Sequence, residues 1–204
     1  MVAKIAVIIY STWGHINTLS ESVVAGLKES GAEVTLFQIQ ETLSEEIRAK
    51  MHAAPKLDIP VITPKDLPQF DGFLFGFGTR YGRAPASVSA FFDATGGLWA
   101  SGALVGKFAG VFFGAGSNHG GHETTALTTV PFFAHQGMIY VPIGFVRPEL
   151  SIVEKVVGGS AYGASYIAGS KGQLPVTEED KAVGRYQGQS FGTLVNTFVK
   201  GRNL

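Results

Sequence analysis

The chain has 204 residues, enough for one domain with a sizeable core. Apolar residues make up 45% and charged residues only 16%, so few ions are available to cover the surface and subunit interfaces or a large core are implied. Lys and Arg total 16, as do Asp and Glu, and there is no cysteine; no basic stripe advertises nucleic-acid binding, and disulfides, thiolate metal sites, iron–sulfur clusters and a cysteine nucleophile are excluded. No apolar run is long enough for a transmembrane segment, and the short first segment lacks the features of a signal peptide.

Lys4–Tyr10 is nearly all apolar and β-branched, and reads as a strand buried on both faces. A polar turn follows, then a helix from about Asn17 to Ser30, stopped by Gly31, with Leu19, Val23, Val24 and Leu27 on one face. Ala32–Gln38 reads as a second strand and Glu41–His52 as a helix, before a looser stretch holding Pro55, Pro60, Pro64 and Pro68. Asp71–Phe77 is a third strand, Pro85–Ala94 a helix with Pro85 near its first turn, and Phe108–Phe113 a fourth strand. Thr124–Gln136 suits a helix ended by Gly137, and Met138–Val141 a short fifth strand. Residues 142–176 read as an irregular, Gly-rich insertion. Thr177 starts a last helix running to about Val199, with Asp180 only a partial match to a capping box.

Strands alternating with helices predict an α/β domain over 1–204, a five-stranded parallel sheet covered by helices on both faces. The chain length favours the flavodoxin-like order 2-1-3-4-5 over the Rossmann order. In either, a ligand sits beyond the carboxyl ends of the strands, which directs attention to three turns.

Ser11-Thr12-Trp13-Gly14-His15-Ile16-Asn17-Thr18 brings hydroxyls, a glycine and free N–H groups to a helix N-terminus, a geometry that binds phosphate. It carries no Lys or Arg and is no P-loop; an ordinary capped helix would look the same. Gly78-Thr79-Arg80-Tyr81-Gly82 could stack on and contact a planar ligand, or be a plain surface loop. Gly114-Ala115-Gly116-Ser117-Asn118-His119-Gly120-Gly121 has four glycines that let backbone lie flat against a ring; a flexible surface loop is the alternative. His119, His122 and Glu123 have no third histidine near in sequence, so no metal site is expected. No G-x-S-x-G elbow supports a serine hydrolase.

Together these residues resemble the WrbA family of flavodoxin-like proteins. The likeness is carried by Tyr10–Ile16, Gly78–Gly82, Asp93–Lys107, His135–Met138, Val141–Phe145, Gly158–Ala164, Ile167–Gly169 and Arg185–Gly188. It implies FMN as cofactor and NAD(P)H as cosubstrate. The implied activity is two-electron reduction of quinones to hydroquinones, by ping-pong hydride transfer through FMN, with a part in oxidative-stress responses. By resemblance, Ser11, Thr12, Trp13, Gly14, His15 and Ile16 hold the FMN phosphate. Thr79, Arg80 and Tyr81 flank the isoalloxazine, while Gly114, Ala115, Gly116, Ser117, Asn118 and Gly120 line its other side. His135 approaches the flavin edge as the catalytic residue, Trp13 contacts the nicotinamide cosubstrate, and Trp99 walls the quinone pocket. Gly114-Ala115 stand where the family usually has hydroxyl residues. The resemblance also implies a homotetramer, in the cytoplasm or peripheral at a membrane. The competing expectation is a flavin-binding stress or regulatory module with little turnover.

Overall fold

The computed structural model describes residues 1–202; positions 203 and 204 of the expected domain lie outside the described residues. Among the described residues six strands form the sheet: β1 (Lys4–Tyr10), β2 (Glu33–Gln38), β3 (Gly72–Gly78), β4 (Phe108–Ala115), β5 (Ile139–Tyr140) and β6 (Ser165–Ile167). The order is β2-β1-β3-β4-β5, the one that the chain length favours, and the pairs are parallel, as the strand–helix alternation predicts. The helices are α1 (His15–Glu29), α2 (Glu45–Lys50), α3 (Ala86–Asp93), α4 (Gly96–Ser101), α5 (His122–His135) and α6 (Glu178–Gly201).

Successive residues of a strand point to opposite faces, and both faces are apolar here. Ala6, Ile8, Phe73, Phe75, Val111 and Phe113 face one core, shared with Val88 of α3 and Phe133 of α5. Ile5, Val7, Ile9, Leu74 and Phe112 face the other, shared with α1 and α6. This explains why the strands are continuous apolar runs rather than alternating ones.

Three expectations need correction. The helix expected over Glu41–His52 is only α2, because the Glu41 carboxylate accepts hydrogen bonds from the N–H groups of Thr42 and Leu43 and from the Tyr10 hydroxyl instead of starting a helix. The Asp93–Lys107 stretch, given no element, contains α4. The insertion at 142–176 is not wholly irregular: β6 pairs with the carboxyl half of β4, Gly114 opposite Tyr166, while β5 takes the amino half of the same edge. Gln187 of α6 locks this arrangement, donating from Nε2 to the Val111 carbonyl and accepting the Ala164 N–H, at 2.9 and 2.8 Å. The start of α6 is a full capping box, with Thr177 and Asp180 bonded reciprocally.

α1 is seated on α6 by backbone-to-backbone contact. Gly184, Gly188 and Gly192 form a glycine row on α6; a Cβ on Gly188 would strike the Val23 carbonyl of α1, and one on Gly26 would strike the Arg185 carbonyl. The approach fixes where the N-terminus of α1 points. No helix among the described residues is long and apolar enough to cross a membrane.

Gly188→Ala forces the two helices apart and is expected to lower stability by about 1–3 kcal/mol. The shift in urea midpoint measures it, and an unshifted midpoint would show that the helix contact is slack.

Candidate functional site

The carboxyl ends of β1, β3 and β4 lie side by side: Tyr10 is level with Phe77, and Gly78 with Gly114. The strand order reverses between β1 and β3, so a crevice opens there. The three turns singled out in the sequence meet over it, around a cleft of about 570 Å³ lined by Ser11, Thr12, Trp13, His15, Thr79, Arg80 and Gly114–Gly116. That size suits a small-molecule ligand.

The first turn has a geometry that suits an anion. Gly14 takes a left-handed conformation, φ 91°, at the N-cap of α1, and no side chain caps the helix. Its own N–H is donated to the Ser11 hydroxyl at 3.0 Å. The first N–H groups of α1 have no intrahelical acceptor, no acidic residue stands in its first turn, and the helix dipole makes this end favourable for negative charge. Ile16 is fully buried, so only its backbone can serve a ligand.

The turn lacks a cation in sequence, but the fold supplies one. Arg80, from the turn after β3, donates from Nη2 to the Thr12 hydroxyl at 3.1 Å. Its guanidinium lies 4.9 Å over the Trp13 ring, and Nη1 is tied to the Thr79 carbonyl. Trp13 is half exposed at the rim, with its indole N–H donated to the Met51 carbonyl. The Thr79 hydroxyl accepts the Gly82 N–H and the Thr125 hydroxyl, which fixes the second turn.

Several expected site residues stand elsewhere. Tyr81 is fully exposed and outside the cleft lining. It sits at φ 53° beside Gly82 at φ 77°, in a tight Arg80–Arg83 hairpin, a turn that throws its central side chains outward. Ser117, Asn118 and Gly120 belong to the third turn but not to the cleft wall. His135 ends α5 and Trp99 lies on α4; the connections from both to β4 and β5 run at the amino edge of the sheet, opposite the cleft. A helix of 14 residues places His135 roughly 20 Å from the loop that starts it. Neither side chain reaches the cleft of its own chain.

Sequence reading missed Tyr10, Pro85, Tyr166 and the Ala168–Gly172 segment, all of which line the cleft. Tyr166 stacks on His15, with ring centroids 5.1 Å apart and planes at 12°. His119 and His122 diverge: His119 is exposed, whereas His122 is buried with Nδ1 2.6 Å from the Ser165 hydroxyl. No group of three or more His, Cys, Asp or Glu side chains among the described residues could hold a metal.

Fold and cleft define a flavodoxin-like protein with a nucleotide-sized site at the switch point. Residues 3–149 match the family described as NADPH-dependent FMN reductase. The P25 protein of Schizosaccharomyces pombe is 47% identical over 189 residues, 92% of this chain and 94% of that one. The NAD(P)H quinone oxidoreductase PST1 of Candida albicans is 46% identical over 188 residues, covering 92% and 95%. The quinone-oxidoreductase QR2 of Triphysaria versicolor is 46% identical over 190 residues, covering 92% and 93%. Among solved structures, a WrbA-like flavodoxin from Agrobacterium tumefaciens aligns with TM-score 0.63 at 20% identity over 96% of this chain and 98% of that one, a likeness of fold. The chain belongs to the NADPH-dependent FMN reductase family.

The buried His122 beside the third turn makes stability depend on pH. Burial pushes its imidazole down to about 4, and Nε2 is buried without a partner among the described residues. The folded state therefore prefers the neutral ring, while an unfolded histidine takes a proton near about 6.5. Stability is full above about pH 6.5 and falls by up to about 3 kcal/mol as pH drops toward about 4. Denaturant titrations across that window should show a flatter pH dependence for His122→Gln than for the wild type; equal slopes would contradict the assignment.

Proposed function

We propose that this protein is an FMN-dependent NAD(P)H:quinone oxidoreductase. The observation that carries the reading is the cleft itself: an uncapped helix N-terminus on a left-handed glycine, the Arg80 guanidinium beside it, and two further turns opposite. The names of the 46% identical relatives point to the same chemistry. The residues present fit FMN, whose phosphate suits the cradle of N–H groups and hydroxyls from Ser11 to Ile16. When bound, FMN would supply two-electron redox chemistry between a nicotinamide and a quinone.

The chain's own residues would then orient and screen the ligands. Arg80 adds positive charge beside the phosphate turn and braces Thr12. Thr79 and the Gly114–Gly116 backbone flank the flavin ring. Trp13, stacked under Arg80 at the rim, offers an aromatic surface to the nicotinamide cosubstrate. NAD(P)H and quinone use the same open side of the cleft in turn.

The reading includes a homotetramer of single-domain chains. Trp99, Val105, Ile139, Phe145 and Val146 are exposed apolar side chains, 45–66% accessible, and surfaces of this kind mark interfaces. His135 and Trp99 lie on the amino edge, so they would contribute to the cleft of a neighbouring copy rather than their own.

Two outcomes are expected. Initial rates of the FMN-loaded protein with NADPH and benzoquinone varied together give parallel double-reciprocal lines; intersecting lines would rule out a shared cleft, and retained FMN without turnover would favour a non-catalytic flavin-binding module. Light scattering gives four times the 21.6 kDa chain mass; a monomer would remove the role assigned to His135 and Trp99.

A further inference from the structure

The floor of the cleft carries a hydroxyl with no hydrogen-bond partner among the described residues. β6 delivers it: the Tyr166 backbone pairs with Gly114, and the ring lies across the space that a side chain at 114 would fill, so that a Cβ on Gly114 would collide with it. The ring continues to β3, where the hydroxyl oxygen stands 3.5 Å from the place of a Cβ on Gly78. His15 stacks on the ring and is itself held by Nε2 at 3.0 Å from the Leu174 carbonyl. The side chain is only 7% exposed and lines the cleft.

Tyr166 lines the cleft and its hydroxyl is not among the buried unpaired atoms, so the cleft itself can supply the partner that a tyrosine hydroxyl ordinarily finds. The hydrogen bonds of the described residues give Tyr166 none, although the ring is clamped on two sides. Burial raises its hydroxyl above the ordinary phenol value, against the pull of Arg80, so it stays protonated and can donate. It lies over β3, between the phosphate turn of α1 and the Gly114–Gly116 backbone. Neither Gly114 nor Ala115 has a hydroxyl of its own.

We propose that Tyr166 is a ligand-contacting residue, whose hydroxyl donates a hydrogen bond to an oxygen on the ribityl–phosphate arm of FMN. It replaces from β6 the polar contact that positions 114 and 115 cannot make. The two positions are coupled: the ring has room only because residue 114 is glycine. This rests on the flavin reading above.

The test compares wild-type and Tyr166→Phe apoprotein, titrated with FMN by flavin fluorescence, with thermal melts in parallel. The variant keeps the ring and removes the hydroxyl. The expected result is an unchanged melting temperature and an FMN Kd raised about 3- to 10-fold, the loss of one hydrogen bond. Equal Kd values overturn the proposal and leave the flavin reading standing. A lowered apoprotein melting temperature assigns the hydroxyl to folding and also overturns it. Failure of the wild type to bind FMN overturns the flavin reading, and the proposal with it. The coupling has its own readout: Gly114→Ser alone should lower both melting temperature and FMN affinity, and adding Tyr166→Thr should restore both. Additive losses in the double variant would overturn the coupling.

Discussion

The parallel hydrogen-bond ladder through β1, β3 and β4 sets everything at the site. Tyr10, Phe77 and Phe113 stand in one row, so the chain leaves three neighbouring strands at the same height. Turns separated by about seventy and about thirty-five residues in sequence thereby meet over one crevice. A parallel sheet has its strands' carboxyl ends on one edge, and reversal of strand order beside β1 keeps the crevice clear of crossing helices. The glycine contacts between α1 and α6 complete the frame, because they fix the axis along which the first helix aims its N-terminus.

The core and the crevice use the same packing device on this sheet. Phe112 of β4 lies over Gly76 of β3, where a Cβ would strike its ring; two rows higher, Tyr166 of β6 lies over Gly114 of β4. The first pair is fully inside the core. The second reaches the crevice, and there the aromatic carries a hydroxyl. Charge is handled in a similarly economical way. The N-terminus of α1 carries about half a positive charge from its backbone, and Arg80 brings a full one across from the next turn, held by Thr12 and the Trp13 ring.

Much of this was legible in the sequence. The apolar runs marked β1, β3 and β4, since strands buried on both faces need no alternation; the strand–helix succession implied a parallel sheet, and the chain length favoured its order. The turns at 11–16, 78–82 and 114–121 were visible as glycine and hydroxyl clusters after those strands. What escaped was long-range or short. β6 is three residues long and pairs with a strand some fifty positions earlier, so it leaves no periodic signal, and Tyr166 escaped with it. The Arg80–Thr12 bond joins residues 68 apart. His135 and Trp99 were recognised by their neighbours in sequence, but sequence does not say which end of α5 or α4 faces the crevice. The glycine row on α6 was readable as a four-residue spacing, and its meaning depended on which helix lies against it.

The proposed chemistry requires FMN held in this cleft to pass electrons from a nicotinamide to a quinone. The direct measurement is the visible spectrum of FMN-loaded protein in the absence of oxygen, first with NADPH and then with benzoquinone. The flavin absorbance is expected to bleach with one equivalent of NADPH and to return with one equivalent of benzoquinone. Protein that releases FMN on gel filtration, or holds it through both additions with no change in the spectrum, would contradict it.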